Sequence, residues 1–290
     1  MVERELPDKR AVRRSFERAA ATYDRHSVLQ TEIGGRLLAH LEPMRLEPRR
    51  LIDLGCGTGA WLAPLEARFP KCDVIGIDVA PGMLARAAAR TPAWKRVLPV
   101  RRPRLACADA ERLPLAAGAV QLVFSNLALQ WCDPAKVFAE AARVLPAGGL
   151  FLFSTFGPDT LKELRAAFAE VDGYSHVNRF VDMHDLGDAL VHASFADPVM
   201  EMEVITLEYP TVDAIARDLK AIGAHNSLPS RPRGLAARSR WDAVVASYEK
   251  WRRGAVLPAS YEVIYGHAWK VAPRKTADGR QVIDFQRGAI

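Results

Sequence analysis

Residues 53–59, Asp-Leu-Gly-Cys-Gly-Thr-Gly, follow a short apolar run and precede a helical pattern, so they form a glycine-rich turn from strand to helix. Each glycine lets backbone pass where a Cβ would collide, and peptide N–H groups can then approach a small ligand closely. Asp78 lies 19 residues beyond Gly59, which suits a carboxylate accepting hydrogen bonds from a ribose diol. A nicotinamide-dinucleotide domain would show the same pair, so these two features leave the ligand open. Asp109 opens Asp109-Ala110-Glu111-Arg112-Leu113-Pro114, a polar turn in which an acid can accept from an exocyclic adenine amine. Ser125-Asn126 closes a further apolar run.

These residues share an address once the elements are read. Arg50–Leu54, Asp73–Asp78, Leu105–Asp109, Val120–Ser125 and Leu150–Thr155 read as short apolar strands. Helical patterns over Trp61–Phe69, Gly82–Arg90 and Lys136–Leu145 separate them, the last closed by Pro146-Ala147-Gly148-Gly149. Alternation of this kind implies a parallel sheet with right-handed crossovers. Ligands of such sheets sit at the carboxyl ends of the strands, where the glycine turn and the acids fall. Residues 8–40 read as helix, from the recurrence of Val12, Phe16, Ala19, Ala20 and Tyr23, then Leu29, Ile33 and Leu37. Tyr23 and Gln30, seven apart, would share one face of it. After Pro158 the regularity changes. Thr160–Val171 and Met183–Ala193 look helical, Val199–Tyr209 alternates like a strand, and a helix-rich stretch from Val212 to Arg253 precedes a last strand, Tyr261–Val271. Two late strands without a full crossover predict an antiparallel edge.

The glycine turn, the acid at 78 and the Asp-Ala-Glu-x-Leu-Pro turn together resemble the class I S-adenosylmethionine-dependent methyltransferases. That resemblance implies a Rossmann-like α/β fold with a seven-stranded, mostly parallel sheet and an antiparallel last strand. It implies S-adenosylmethionine as cofactor, its methionine part near Asp53, Gly55, Cys56, Gly57 and Gly59, its ribose on Asp78 with Val79, and its adenine on Asp109 with Ala110, near Met83. Asn126 and Leu127, ending the fourth strand, complete the expected pocket, under a lid carrying Tyr23 and Gln30. Cys56 reads as a small packed residue and not a nucleophile, since no histidine lies near it in sequence.

Longer segments narrow the resemblance. Phe16-Glu17-Arg18-Ala19-Ala20-Ala21-Thr22-Tyr23-Asp24, Ser125-Asn126-Leu127-Ala128-Leu129-Gln130-Trp131-Cys132 and His176-Val177-Asn178-Arg179-Phe180 are similar to the malonyl-[acyl-carrier protein] O-methyltransferase family. That similarity implies methylation of a free malonyl carboxylate on acyl-carrier protein, early in biotin synthesis. Tyr209-Pro210, Gly223-Ala224-His225-Asn226 and Ala268-Trp269-Lys270 also resemble a respiratory complex I assembly factor related to methyltransferases and linked to arginine hydroxylation. A small-molecule or quinone methyltransferase is a third reading of the same cofactor features. A malonyl carboxylate is ionised near pH 7, so no catalytic base is required. The expected substrate contacts are instead carboxylate-recognising His176, Arg179, Arg231 and Arg233, with Trp131, Phe156 and Phe180 as apolar walls.

Charge and cysteine usage bound the rest. The net charge of +6 concentrates between Arg217 and Arg253, where Lys and Arg outnumber Asp and Glu nine to three. This basic stretch, inside a helical insert over 210–258, is the expected docking face for an acidic carrier protein. No interleaved aromatic platform of the single-strand-binding type accompanies it, so no nucleic-acid partner is expected. Four scattered cysteines without a CxxC pair argue against a metal site and against a secreted disulfide framework. No apolar leader or membrane-length run is visible, so the expectation is a cytoplasmic protein with no membrane span. The expected organisation is a single methyltransferase domain over 1–290, with lid helices at 8–40 and a cofactor-binding core at 50–155.

Overall fold

The computed structural model describes residues 5–92, 103–230 and 238–272. Its centre is a seven-stranded sheet of β1 (Arg50–Leu54), β2 (Asp73–Asp78), β3 (Arg104–Cys107), β4 (Leu122–Asn126), β5 (Leu150–Phe156), β6 (Phe195–Tyr209) and β7 (Leu257–Lys270). The order is β3-β2-β1-β4-β5-β7-β6. The first five strands run parallel, and β7 inserts antiparallel between β5 and β6. The order reverses beside β1, so its carboxyl end and that of β4 flank a crevice.

The central parallel strands β4 and β5 are largely apolar because both faces are covered. Along β5, Leu150 and Leu152 enter one core while Phe151 and Phe153 enter the other, all four fully buried. Along β4, Leu122 and Phe124 alternate with Val123 in the same way. Burying an aliphatic or aromatic side chain of this kind stabilises by roughly 1.5–3 kcal/mol. The strands therefore form a rigid floor from which the short turns at their ends project.

The helices are α1 (Lys9–Ala19), α2 (Tyr23–His26), α3 (Val28–Ala39), α4 (Leu62–Arg68), α5 (Pro81–Arg90), α6 (Pro134–Val144), α7 (Lys162–Ala169), α8 (Met183–His192), α9 (Val212–Ala221) and α10 (Arg238–Tyr248). Residues 8–40 thus form three helices, not one. Asp8 caps α1 by accepting from the Arg10 and Ala11 N–H groups. The Thr22 hydroxyl, with a single proton to donate, lies within reach of both Ala19 O at 3.2 Å and Ala221 O at 3.1 Å, so the end of α1 sits against a residue 199 positions away. Ser27 breaks the chain again before α3, and Tyr23 and Gln30 stand on different helices. The shared face expected from their spacing is absent.

The late strands are longer than their alternation suggested. β6 begins at Phe195, because a bulge between Ala196 and Val199 interrupts the pattern without ending the pairing. β7 begins at Leu257 and is buried along most of its length, between β5 and β6. Among the described residues no helix is long and apolar enough to cross a membrane.

Candidate active site

The turn after β1 is built on three positive φ angles, at Gly55 (+76°), Gly57 (+52°) and Gly59 (+77°). A Cβ at Gly55 would stand 2.3 Å from Ala128 Cβ, so glycine is needed there for space as well as conformation. The Gly55 and Cys56 N–H groups both donate to Ile77 O, which lashes the turn to β2. At the end of β2, Asp78 Oδ2 accepts from Gly57 N at 2.9 Å and Oδ1 from Ala80 N at 2.8 Å. Each carboxylate oxygen keeps a further acceptor site. Burial raises the Asp78 pKa, and the bonds from Ala80 and Gly57 oppose that shift.

A cavity of about 750 Å³ opens above these strand ends. Its wall includes Tyr23, Gly55, Gly57, Asp78, Val79, Met83, Asp109, Ala110, Asn126 and Leu127, all singled out from sequence. Asp53, Cys56 and Gly59 are not on that wall. Cys56 is buried, and its Sγ would lie 2.9 Å from a Cβ at Gly76, so it packs the turn against β2. Gly59 would meet Ala87 Cβ at 2.8 Å and serves helix packing. Gln30 lies on a different cavity. These four expected cofactor contacts lie off this cavity's wall.

Asp53 is 1% exposed, and its Oδ2 has no hydrogen-bond partner. Burial, with Asp78 beside it, pushes its carboxyl up to about 8. Two adjacent buried acids, one with an orphaned oxygen, call for a cation close by. S-adenosylmethionine fits that demand: it is cationic at sulfur and at the amino group, and Asp78 and Asp109 offer acceptors to its ribose and adenine.

Helices α1 and α2 contribute Lys9, Val12, Phe16 and Tyr23 to the wall of this cavity, and all three N-terminal helices are bonded to its surroundings. Asn126 Nδ2 donates to Gln30 O at 2.9 Å, Thr58 Oγ1 to Asp24 Oδ1 at 2.6 Å, and Gly82 N to Glu17 Oε2 at 2.8 Å. Lys9 Nζ lies 2.7 Å from Asp109 Oδ1 and 2.7 Å from Glu111 Oε2. Lys9 is a cavity residue that sequence reasoning missed, because its partners lie about a hundred positions away.

A second cavity, about 720 Å³, adjoins the first. Phe16, Tyr23, Leu127 and Trp131 line both, so they form the partition between them. The far wall carries Phe156, Phe180 and Tyr261 as apolar surface, and Gln30, Gln130, Thr160, His176, Asn178, His225 and Asn226 as polar groups. Trp131, His176 and Phe180 are therefore brought together as expected. Arg179 is exposed, lines neither cavity and neighbours Arg165. Arg231 and Arg233 lie outside the described residues. The amides at 130, 178 and 226 were missed because isolated Asn and Gln carry no spacing signal.

His225 and Asn226 also line an open surface groove with Arg14 and Arg18. Arg18 and Lys220 stand close enough to His225 to help depress its pKa, behind the larger effect of burial. A basic surface from α1 and α9 thus borders the second cavity. Among the described residues no group of acids, histidines and cysteines is placed to hold a metal ion.

A family model described as a methyltransferase domain matches residues 52–153. The chain is 52% identical over 291 residues to a malonyl-[acyl-carrier protein] O-methyltransferase of Laribacter hongkongensis, covering 98% of both proteins. It is 51% identical to the protein of the same name from Gallionella capsiferriformans, covering 95% of this chain and 96% of that one. Among solved structures, the YcgJ protein of Bacillus subtilis aligns with a TM-score of 0.55 at 18% identity, over 83% of this chain and 99% of that one. A phosphoethanolamine N-methyltransferase of Haemonchus contortus in complex with S-adenosyl-L-methionine aligns with a TM-score of 0.55 at 18% identity, over 88% of this chain and 57% of that one. At that identity the structures share the fold.

Proposed function

Because this chain belongs to the malonyl-[acyl-carrier protein] O-methyltransferase family, we propose that it methylates the free carboxylate of a malonyl group carried on acyl-carrier protein, using S-adenosylmethionine, in the cytoplasm. The observation that carries this reading is the pair of adjoining cavities with a shared partition of Phe16, Tyr23, Leu127 and Trp131. One is acid-lined and suits a cationic cofactor; the other is apolar with scattered amides and suits an acyl thioester.

When bound, S-adenosylmethionine supplies an electrophilic methyl group on a sulfonium. The residues of this chain provide alignment and dryness. Asp78, Asp109 and the Gly55–Gly57 backbone hold the cofactor's adenosine and amino-acid ends. Tyr23 and Trp131 stand at the partition, where the two reactants meet. Burial, with Asp78 and Asp24 close by, raises the Tyr23 pKa, so its hydroxyl keeps its proton and remains a donor. No general base is assigned, since the acceptor carboxylate is ionised near neutral pH. Orientation of two reactants in this way can lower a barrier by ~7–11 kcal/mol. The lid helices exclude water, which favours the meeting of anion and cation.

The basic surface bordering the second cavity gives the carrier protein a place to dock. Arg14 and Arg18 of α1 join Lys220 of α9 there, so the docking face extends beyond the insert at 210–258 that charge counting picked out. The test is incubation with methyl-labelled S-adenosylmethionine and malonyl-acyl-carrier protein, followed by a search for a base-labile methyl ester.

A further inference from the structure

Among the described residues, the wall of the second cavity carries no guanidinium or ammonium group, and its nitrogen bases are two imidazoles, His176 and His225. Their surroundings are opposite. Burial, together with Arg18 and Lys220, pushes His225 down toward its neutral form. His176 instead rests on an acid: its Nε2 lies 2.8 Å from Asp172 Oδ1, with the two side chains only 17% and 12% exposed. Phe168 stacks on the ring, centroids 3.9 Å apart and planes 11° from parallel.

Asp172 is itself held in place. Its Oδ1 accepts from the Tyr174 N–H at 3.0 Å, and its Oδ2 lies 3.5 Å from Arg240 Nη1, an ion-pair distance without hydrogen-bond geometry. Burial works against ionisation of Asp172, yet the Tyr174 N–H, His176 and Arg240 hold its carboxyl below the usual range. An ionised Asp172 accepts from Nε2–H and fixes the orientation of the ring. The other ring nitrogen, Nδ1, has no protein hydrogen bond among the described residues. In an imidazolium both ring nitrogens carry protons, so with Nε2–H on Asp172 the Nδ1–H of this cavity-wall residue is left as a donor.

We propose that His176, clamped by Asp172 and Phe168, receives the free carboxylate of the acceptor and distinguishes it from an uncharged acyl chain. The assignment rests on the carboxyl-methylation reading above. A single imidazole N–H suits the task, because the anion gives up its charge as the methyl group arrives. A two-point guanidinium clamp would stabilise the anion before transfer and lose that interaction during it, which raises the barrier. Among the described residues, the other titratable groups sharing the cavity, Tyr23, Tyr261 and His225, stay neutral: burial raises both tyrosines and lowers the histidine.

The experiment measures binding of malonyl- and acetyl-acyl-carrier protein to the full-length enzyme saturated with S-adenosylhomocysteine, which prevents turnover. A charge-assisted contact predicts that His176→Ala weakens malonyl-carrier binding by about 10- to 100-fold and leaves acetyl-carrier binding unchanged. His176→Gln, which preserves volume, and Asp172→Asn should both lose malonyl affinity selectively, by smaller factors. Equal loss for both acyl groups would mean a structural role and overturn the proposal, as would unchanged affinity for both. If the wild-type enzyme forms no methyl ester, the functional reading itself fails. Ester formation with no selective loss in the His176 variants refutes this assignment alone.

Discussion

Lys9 Nζ bonds both carboxylate oxygens of Asp109, at 2.7 and 2.5 Å, and so ties α1 to the turn that follows β3. Asp109, expected to face adenine, is here the acid that anchors α1. The two side chains are 37% and 38% exposed, so solvent screens the pair, and it adds at most about 1 kcal/mol to folding. Its consequence lies in closure. Lys9→Ala should shift Tm by less than about 4 °C while S-adenosylmethionine dissociates several-fold faster. Stopped-flow displacement of bound cofactor reads that rate, and an unchanged rate would remove Lys9 from the lid.

Asp53 predicts a pH dependence with a definite sign. Its carboxyl titrates at about 8 in the folded chain and in the ordinary carboxylate range when unfolded. The folded state therefore binds the proton more tightly, and Asp53 subtracts stability progressively as pH rises from about 4 to about 8. Asp53→Asn should gain stability relative to wild type across that window, most at its upper end, in chemical denaturation without cofactor. A cationic ligand favours ionised Asp53, so wild-type affinity for S-adenosylmethionine should increase toward pH 8. Calorimetric titration of Asp53→Asn should show that increase abolished.

The glycine turn separates two effects that sequence alone merges. Gly55 has φ +76° and no room for a Cβ, whereas Gly57 has φ +52° and nothing within 4 Å of one. Gly57→Ala should bear only the left-handed backbone cost of roughly 1–2 kcal/mol. Gly55→Ala must also displace Ala128, beside Leu127 on the partition. Cofactor affinity measured for both variants should fall much further for Gly55→Ala. Equal losses would mean that conformation, not space, fixes both glycines.

Docking of an acidic carrier on the α1–α9 surface predicts a salt-dependent KM. Charge reversal at Arg14 and Arg18 together should raise KM for the carrier-bound substrate several-fold at low ionic strength. The difference should shrink as salt screens it. Cofactor affinity should not change, since neither residue lines the cofactor cavity.

What was legible in the sequence follows the range of the forces involved. The strands β1 and β2 and the acid at 78 were readable because apolar runs, glycines and their spacing are local signals. Lys9–Asp109, Thr22–Ala221 and Gln30–Asn126 join residues about 100 to 200 positions apart, and no local pattern announces such contacts. They accompany the division of 8–40 into three helices, in which Tyr23 and Gln30 stand on different helices and still line one cavity. Asp172 and His176 are four apart and within reach of sequence reasoning. His176 was picked out as a carboxylate contact, but its partner Asp172 was not, because it lies in the irregular stretch beyond the end of α7 at Ala169, where no helical spacing links the two.

The central claim is methyl transfer to a carboxylate, and one measurement addresses it most directly. The full-length protein is incubated with methyl-labelled S-adenosylmethionine and malonyl-acyl-carrier protein, and the carrier is then treated with mild base. The account predicts label on the carrier, released as methanol by hydrolysis, and none when acetyl-acyl-carrier protein replaces the malonyl form. Tight cofactor binding with no label transferred to the malonyl carrier would contradict it.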